Sequence, residues 1–313
     1  MDLKNTLRKF VDRCNVSGIS QTSDARLGDS EEVKLQIGSI QSLLAKHFAT
    51  NLKDSQFKVF SQFGEDGILQ FLIRQFDDIP ESFVEFGVQD YREANTRFLL
   101  QNNNWRGLII DGCDKWINDV KDEKIYWRHD LTAISAFIDR DNINTIISGS
   151  EFVGPIGILS IDIDGNDYWV WEAIDIIDPS IVVCEYNSVF GKNRSVSIPY
   201  APKFVRNEAH HSNLYWGCSI GALVHLGVRK GYDFVGCNSA GNNAFFVKQN
   251  KTRLKNVSVE EGFVESRFRE SRDQDGKLTF LSGHRKLREI AECPLIDVNT
   301  GEKLICEQLI TND

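Results

Sequence analysis

Residues 232–249 read YDFVGCNSAGNNAFFVKQ. Two runs rich in aromatic and β-branched residues, 232–237 and 244–249, flank a Gly/Asn-rich hexapeptide. This predicts two strands joined by a turn, and therefore an antiparallel pair, since parallel strands need a long crossover. Upstream, the chain alternates between strand and helix patterns. SFVEFGV (82–88), GLIIDG (107–112), KIYWRH (124–129), GILSIDI (157–163) and SIVVCEY (180–186) read as strands. EANTRFLLQNN (93–103), DKWINDVKD (114–122), LTAISAFIDRDNINTIIS (131–148), NDYWVWEAIDII (166–177) and GCSIGALVHLGVRKG (217–231) read as helical. Such alternation predicts βαβ units and a parallel sheet with helices on both faces. Closing those units with one hairpin predicts an α/β, Rossmann-like seven-stranded sheet whose last strand, 244–249, is antiparallel. A dinucleotide-binding fold would continue with parallel strands.

This pattern occupies residues 56–250. Residues 1–55 are polar, with two short helical patterns, one holding Phe10 and Val11 and the other Leu35, Ile40, Leu43, Leu44 and Phe48. A turn-rich linker, SGISQTSDARLGDS, separates them, and the region reads as a helical appendage. Residues 251–313 carry turn signals, DG in SRDQDGKLTF and TG in IDVNTGEKLIC, between short apolar runs, which predicts a small C-terminal β extension.

Of the 313 residues, 36 are Lys or Arg and 45 are Asp or Glu, a formal net charge of −9. That balance argues against a general nucleic-acid binder, which needs a basic face. No apolar run reaches the length of a membrane span, and MDLKNTLRKFVDRC lacks the apolar stretch of a signal peptide. Seven scattered cysteines without CxxC spacing read as reduced thiols and point to a cytoplasmic protein. The sequence leaves room for a homo-oligomer.

The candidate site residues gather at the carboxyl ends of the predicted strands, where ligands of open α/β sheets bind. In VEFGVQD, Glu85 is followed by Gly87, which lets a ligand approach the backbone, and by Asp90. Acids there can hold an ammonium or hydroxyls. Asp111 ends LIIDG, where an acid meets the ribose hydroxyls of a nucleoside. No GxGxxG is present to cradle a dinucleotide pyrophosphate. In SIDIDGND, the alternation of IDID places Asp162 and Asp164 on one side, and CEYN brings Glu185 to the neighbouring tip. Crowded carboxylates need a cation, a hydrogen-bond network or a raised pKa. Asp162, Asp164 and Glu185 are candidate ligands for Mg²⁺ or Mn²⁺, with helix capping by Asp164 or Asn166 as the plainer role. His210 and His211, in the polar insertion after the fifth strand, are candidate general bases. Glu65 and Asp66 open a helix that precedes the first strand, where acids commonly offset the helix dipole.

SQFGEDGIL, FVEFGVQDYREANTRFLL, SIDIDGNDYWVWEAI, IVVCEYNSVFG and NSAGNNAFFV together resemble class I S-adenosylmethionine (SAM) dependent methyltransferases, in particular the FkbM-related bacterial enzymes encoded among surface-polysaccharide genes. The resemblance spans about residues 56–250. It implies SAM as cofactor and methyl transfer to oxygen, with a sugar or other small polar acceptor. It also implies that Glu85, Gly87, Asp90 and Asp111 contact SAM, and that Asp130, at the third strand's tip, lies near the adenine. Gln89 departs from the family's pattern, which places a second glycine there. Asp162, with a divalent cation or a nearby base, would assist loss of the acceptor's proton.

Two other classes fit part of the pattern. Asp162-Ile163-Asp164 could serve as the DxD motif of a metal-dependent glycosyltransferase. Acids on the first two strand tips suit a ribose and a zwitterionic tail better than a diphosphate. A non-catalytic binding module with a degenerate site is the other alternative, prompted by Gln89.

Overall fold

The computed structural model describes residues 31–310, so the helical pattern around Phe10 and Val11 lies outside the described residues. The chain divides into two units, Met1–Lys34 and Leu35–Asp313, and the second carries the sheet and the site. Its strands are β1 (Ser82–Phe86), β2 (Arg106–Asp111), β3 (Leu131–Ser135), β4 (Gly154–Ile161), β5 (Ile177–Glu185), β6 (Val196–Ser197), β7 (Tyr232–Cys237), β8 (Asn243–Lys248), β9 (Pro294–Asp297) and β10 (Lys303–Ile305).

Seven of them form one sheet in the order β3-β2-β1-β4-β5-β8-β7. The pairs from β3 to β5 are parallel, and β8 is antiparallel to both of its neighbours. This is the Rossmann-like seven-stranded sheet expected from the hairpin at 232–249, with β8 alone reversed. The strand order turns around between β1 and β4, so the loops leaving these two strands diverge and a crevice opens at their carboxyl ends.

Alternation along each strand sorts the core into two layers. Val84, Phe86, Ile110, Ile161, Val182 and Phe246 face one layer, together with Trp171 of the helix Asp167–Ala173. Phe83, Ile109, Ile158, Val183 and Phe245 face the other, under the helix Glu65–Ile73.

One element differs from the sequence reading. KIYWRH forms a helix, Lys124–Arg128, and the strand is LTAIS, Leu131–Ser135. Ile125 is buried but Trp127, which a strand would place on the same side, is 70 % exposed, so the alternation in KIYWRH does not describe one buried face. Leu131 and Ala133 are the alternating buried residues. The predicted helix over 131–148 shrinks to Ile143–Ser148.

The small β extension is present as the β9–β10 hairpin. Its sheet has the order β10-β9-β6 and takes β6 from the insertion after β5. A separate apolar cluster, including Phe190, Leu214, Leu287 and Leu295, joins extension to insertion. Among the described residues, no helix is long and apolar enough to cross a membrane.

Glu65 and Asp66 tie this architecture together. Glu65 is fully buried and accepts hydrogen bonds from Asn238 Nδ2 (2.5 Å) and Asn243 Nδ2 (3.0 Å), which anchors the β7–β8 turn. Asp66 Oδ2 accepts from the backbone N–H groups of Val59, Phe60 and Ser61. Glu65→Ala removes a buried acceptor from both turn amides, leaving Asn243 Nδ2 unpaired and Asn238 Nδ2 with Asn242 Oδ1 alone. We expect urea unfolding to show a loss of about 2–5 kcal/mol.

Candidate functional site

A cavity of about 670 Å³ opens at the carboxyl ends of β1, β2, β4 and β5. Its first half is built from the turns after β1 and β2 and the segment after β3: Gly87, Gln89, Asp90, Asp111, Gly112, Trp116 and Phe137. Its second half is built from Asp162, Asp164, Asn166, Glu185 and Asn243, roofed by Arg206, Asn207 and Asn213 of the insertion and Glu270 of the C-terminal extension.

The turn after β1 is fixed by close packing. Gly87 has φ +74°, and a Cβ there would fall 1.6 Å from the Asp162 carbonyl oxygen. Glycine is therefore required on steric grounds. Gln89 has φ +50°, the left-handed conformation that glycine adopts readily, so the turn keeps a glycine-like backbone at this position. The Gln89 N–H donates to Asp111 Oδ2 (2.8 Å), and the Cys113 N–H donates to Asp111 Oδ1 (2.9 Å). A carboxylate has about four acceptor positions, so Asp111 retains capacity for hydroxyl donors.

Glu85 lines the cavity and is engaged by protein donors. It accepts from the N–H groups of Asn95 (2.8 Å) and Thr96 (3.1 Å), from Thr96 Oγ1 (2.5 Å) and from Ser160 Oγ (3.2 Å). Burial raises its pKa, against the pull of these bonds. Asp90 lines the cavity and accepts from the Arg92 N–H (3.1 Å). Asp130 does not belong to the site. It precedes β3 instead of following it, and it pairs with Arg106 Nε at 3.5 Å. Phe137, two residues past β3, stands at the tip where Asp130 was expected.

The acids of the second half part company. Asp164 lies beyond β4 with φ +55°, so strand alternation no longer governs its direction. Its Oδ1 accepts from Arg206 Nη1 at 2.5 Å. Asp167 braces the loop by accepting from the N–H groups of Ile163 and Gly165, both at 2.9 Å, and burial pushes its pKa up to about 6. Asp162 and Glu185 are electrostatic neighbours. Burial first, and then the charge of Asp164 on Asp162 and of Asp162 on Glu185, holds both well above the usual carboxylate range. Glu185 Oε2 is buried without a hydrogen-bond partner.

The expected metal set of Asp162, Asp164 and Glu185 is thus corrected. Among the described residues, no three His, Cys, Asp or Glu side chains are grouped to hold a metal ion. A guanidinium occupies Asp164, and its positive charge would oppose a cation at the remaining pair. The same pairing takes Asp164 away from a DxD arrangement. His210 and His211 are not among the cavity's lining residues. Their rings stack at 4.2 Å, His210 Nδ1 pairs with Ser212 Oγ at 2.8 Å, and His211 Nε2 meets Glu289 at 3.1 Å.

Arg206, Asn243 and Glu270 escaped the sequence reading because they reach the site from segments remote in the chain. Trp116 and Phe137 escaped for other reasons: Trp116 lay within an ordinary amphipathic pattern, and Phe137 was hidden by misplacing β3.

No family model and no curated protein matches the chain. Among solved structures, it is similar to the N-terminal domain of EvdMO1 with S-adenosylhomocysteine (SAH) bound, with 10% identity over 69% of this chain and 96% of that one, and a TM-score of 0.40. It is also similar to an O-methyltransferase from Bacillus cereus in complex with SAH, with 12% identity over 78% and 97% and a TM-score of 0.39. M. capricolum TrmK in complex with SAH follows with 13% identity over 62% and 74% and a TM-score of 0.33. Likenesses this loose add nothing to the strand order, on which the fold assignment rests.

The buried acids set a pH dependence. Asp66 and Asp167 rise from 3.8 to about 6, and Glu85, Asp162 and Glu185 are raised too, all by burial first. A raised acid binds its proton more tightly when folded, so its stabilisation is complete below the unfolded pKa and is lost as pH climbs through the folded value. Thermal unfolding should therefore give a higher Tm at about pH 5.5 than at about pH 7.5, and Asp66→Asn should flatten that slope. A Tm that rises steadily over the same interval would contradict the assignment.

Proposed function

We propose that this protein is a SAM-dependent methyltransferase that O-methylates a sugar or related small polar acceptor, in the surface-polysaccharide setting implied by the family resemblance. The observation that carries the reading is the single cavity lined by Asp111 at the tip of β2 and by the Asp162–Glu185 pair. Its volume of about 670 Å³ suits a nucleoside-sized cofactor together with part of an acceptor.

Asp111 would hold the ribose hydroxyls, and the Gly87–Asp90 turn would carry the amino-acid portion. The rings of Trp116 and Phe137 would border the purine. Bound SAM would supply an electrophilic methyl carbon with a neutral thioether as leaving group. The protein's task is then alignment and removal of the acceptor's proton. The Asp162–Glu185 pair holds one proton readily and a second charge with difficulty, so its ionised member is a strong acceptor for the hydroxyl proton. Accepting that proton would discharge the pair and leave the acceptor oxygen free to take the methyl group that bound SAM would supply.

Titration calorimetry with SAM tests the cofactor assignment. Asp111→Ala should weaken SAM binding by about 10–150-fold, corresponding to roughly 1.5–3 kcal/mol for a charged hydrogen bond. Unchanged affinity in the folded variant would remove Asp111 from the site. Asp162→Asn should lower turnover by about 10²–10⁴-fold while SAM affinity stays within a small factor. Equal losses of turnover and SAM affinity would assign Asp162 to cofactor binding instead.

A further inference from the structure

Resting on that reading, the acceptor half of the cavity also carries information about the acceptor's charge. Its lining includes the carboxylates of Asp162, Asp164, Glu185 and Glu270. Arg206 is the one cationic side chain among the described residues that line the cavity. It is already engaged: Nη1 donates to Asp164 (2.5 Å), Nε donates to the Asn213 carbonyl (3.0 Å), and the guanidinium lies 4.7 Å from the centre of the Trp216 ring. The N–H groups of Ile163 and Gly165, which could otherwise have met an anion, are taken by Asp167.

The unsatisfied groups have one polarity. Glu185 is 7 % exposed, and its Oε2 has no hydrogen-bond partner. Asn166 is 4 % exposed and Asn243 is 2 % exposed, and the Oδ1 of each is likewise unpartnered. The amide nitrogens of these two asparagines are committed to the Ala201 carbonyl and to Glu65. All three side chains line the cavity, and the unpartnered atom of each is an enclosed oxygen. Buried acceptors without donors are costly, so a ligand that draws these side chains round to it gains by bringing donors. Hydroxyl and ammonium groups do so. A phosphate or carboxylate brings further acceptors and negative charge, and like charges in a low-dielectric cleft repel strongly.

We infer that the acceptor is a donor-rich sugar or polyol presented without phosphate or carboxylate, so that methylation falls on a glycoside or free sugar and not on a nucleotide-activated one. The place in a reaction sequence follows from this chemistry: the step lies before the sugar is activated with phosphate or after a glycosyl transfer has removed it.

The test is calorimetry on the full chain saturated with SAH, which blocks the nucleoside half. Two matched pairs serve as probes: methyl α-D-glucopyranoside against UDP-glucose, and methyl α-D-mannopyranoside against GDP-mannose. Inorganic pyrophosphate is the fifth probe. The phosphate-free member of at least one pair should bind at least about tenfold more tightly than its partner, and pyrophosphate should give no binding. The inference is overturned if a sugar nucleotide binds as tightly as its glycoside, if pyrophosphate binds, or if neither glycoside binds. Failure of SAH itself to bind would instead sink the methyltransferase reading. The same titrations without SAH would then report the cavity's preference alone.

Discussion

The approach of the Gly87 backbone to the Asp162 carbonyl is the constraint from which the site follows. These residues leave β1 and β4, the two strands between which the sheet reverses its order. A Cβ at position 87 would lie 1.6 Å from that carbonyl oxygen, so the contact exists only with glycine. With the two tips held together, the turn after β1 runs left-handed through Gln89 and places its N–H on Asp111. The turn after β4 leaves Asp162 beside Glu185, and the crevice between the tips becomes the ligand space.

The treatment of buried charge sets the acids that brace the fold apart from the pair at the cavity. Glu65, Asp66, Glu85 and Asp167 are buried carboxylates, each given several protein donors. They hold the β7–β8 turn, the segment before the helix Glu65–Ile73, the start of the helix Arg97–Asn102 and the loop after β4. Asp66 also keeps one oxygen unpartnered, but its other oxygen takes three backbone N–H groups, whereas neither the half-buried Asp162 nor the buried Glu185 is given a backbone N–H donor among the described residues. A fold under pressure for stability alone would not leave such a pair unsatisfied. Perturbed carboxylates in a cleft are the physical mark of a working site.

Much of this arrangement was legible in the sequence, for definable reasons. The hairpin at 232–249 is a local event, and local turn chemistry revealed the reversed strand. Acids at the ends of short apolar runs stand at the carboxyl ends of the strands, so Glu85, Asp111, Asp162 and Glu185 line the cavity. Asp130 was misplaced because KIYWRH imitates a strand while its Trp127 faces solvent. The metal set failed on one dihedral: Asp164 takes a positive φ, and its charge is met by Arg206, 42 residues away. No spacing rule foretells a pairing at that distance. The histidines were chosen for chemical type alone, and they stack on each other away from the cavity lining. The roof over the acceptor half comes from the insertion and the C-terminal extension, whose joining depends on β6 pairing with β9.

The central claim is that one nucleoside cofactor occupies the β1–β2 half of the cavity and leaves the acid pair for an acceptor. A crystal structure of the protein grown with SAH tests it most directly. The account predicts the ribose hydroxyls on Asp111, the amino-acid portion along Gly87–Asp90, and the sulfur directed towards Asp162 and Glu185. SAH bound elsewhere on the molecule, or turned with its sulfur away from the acid pair, would contradict it.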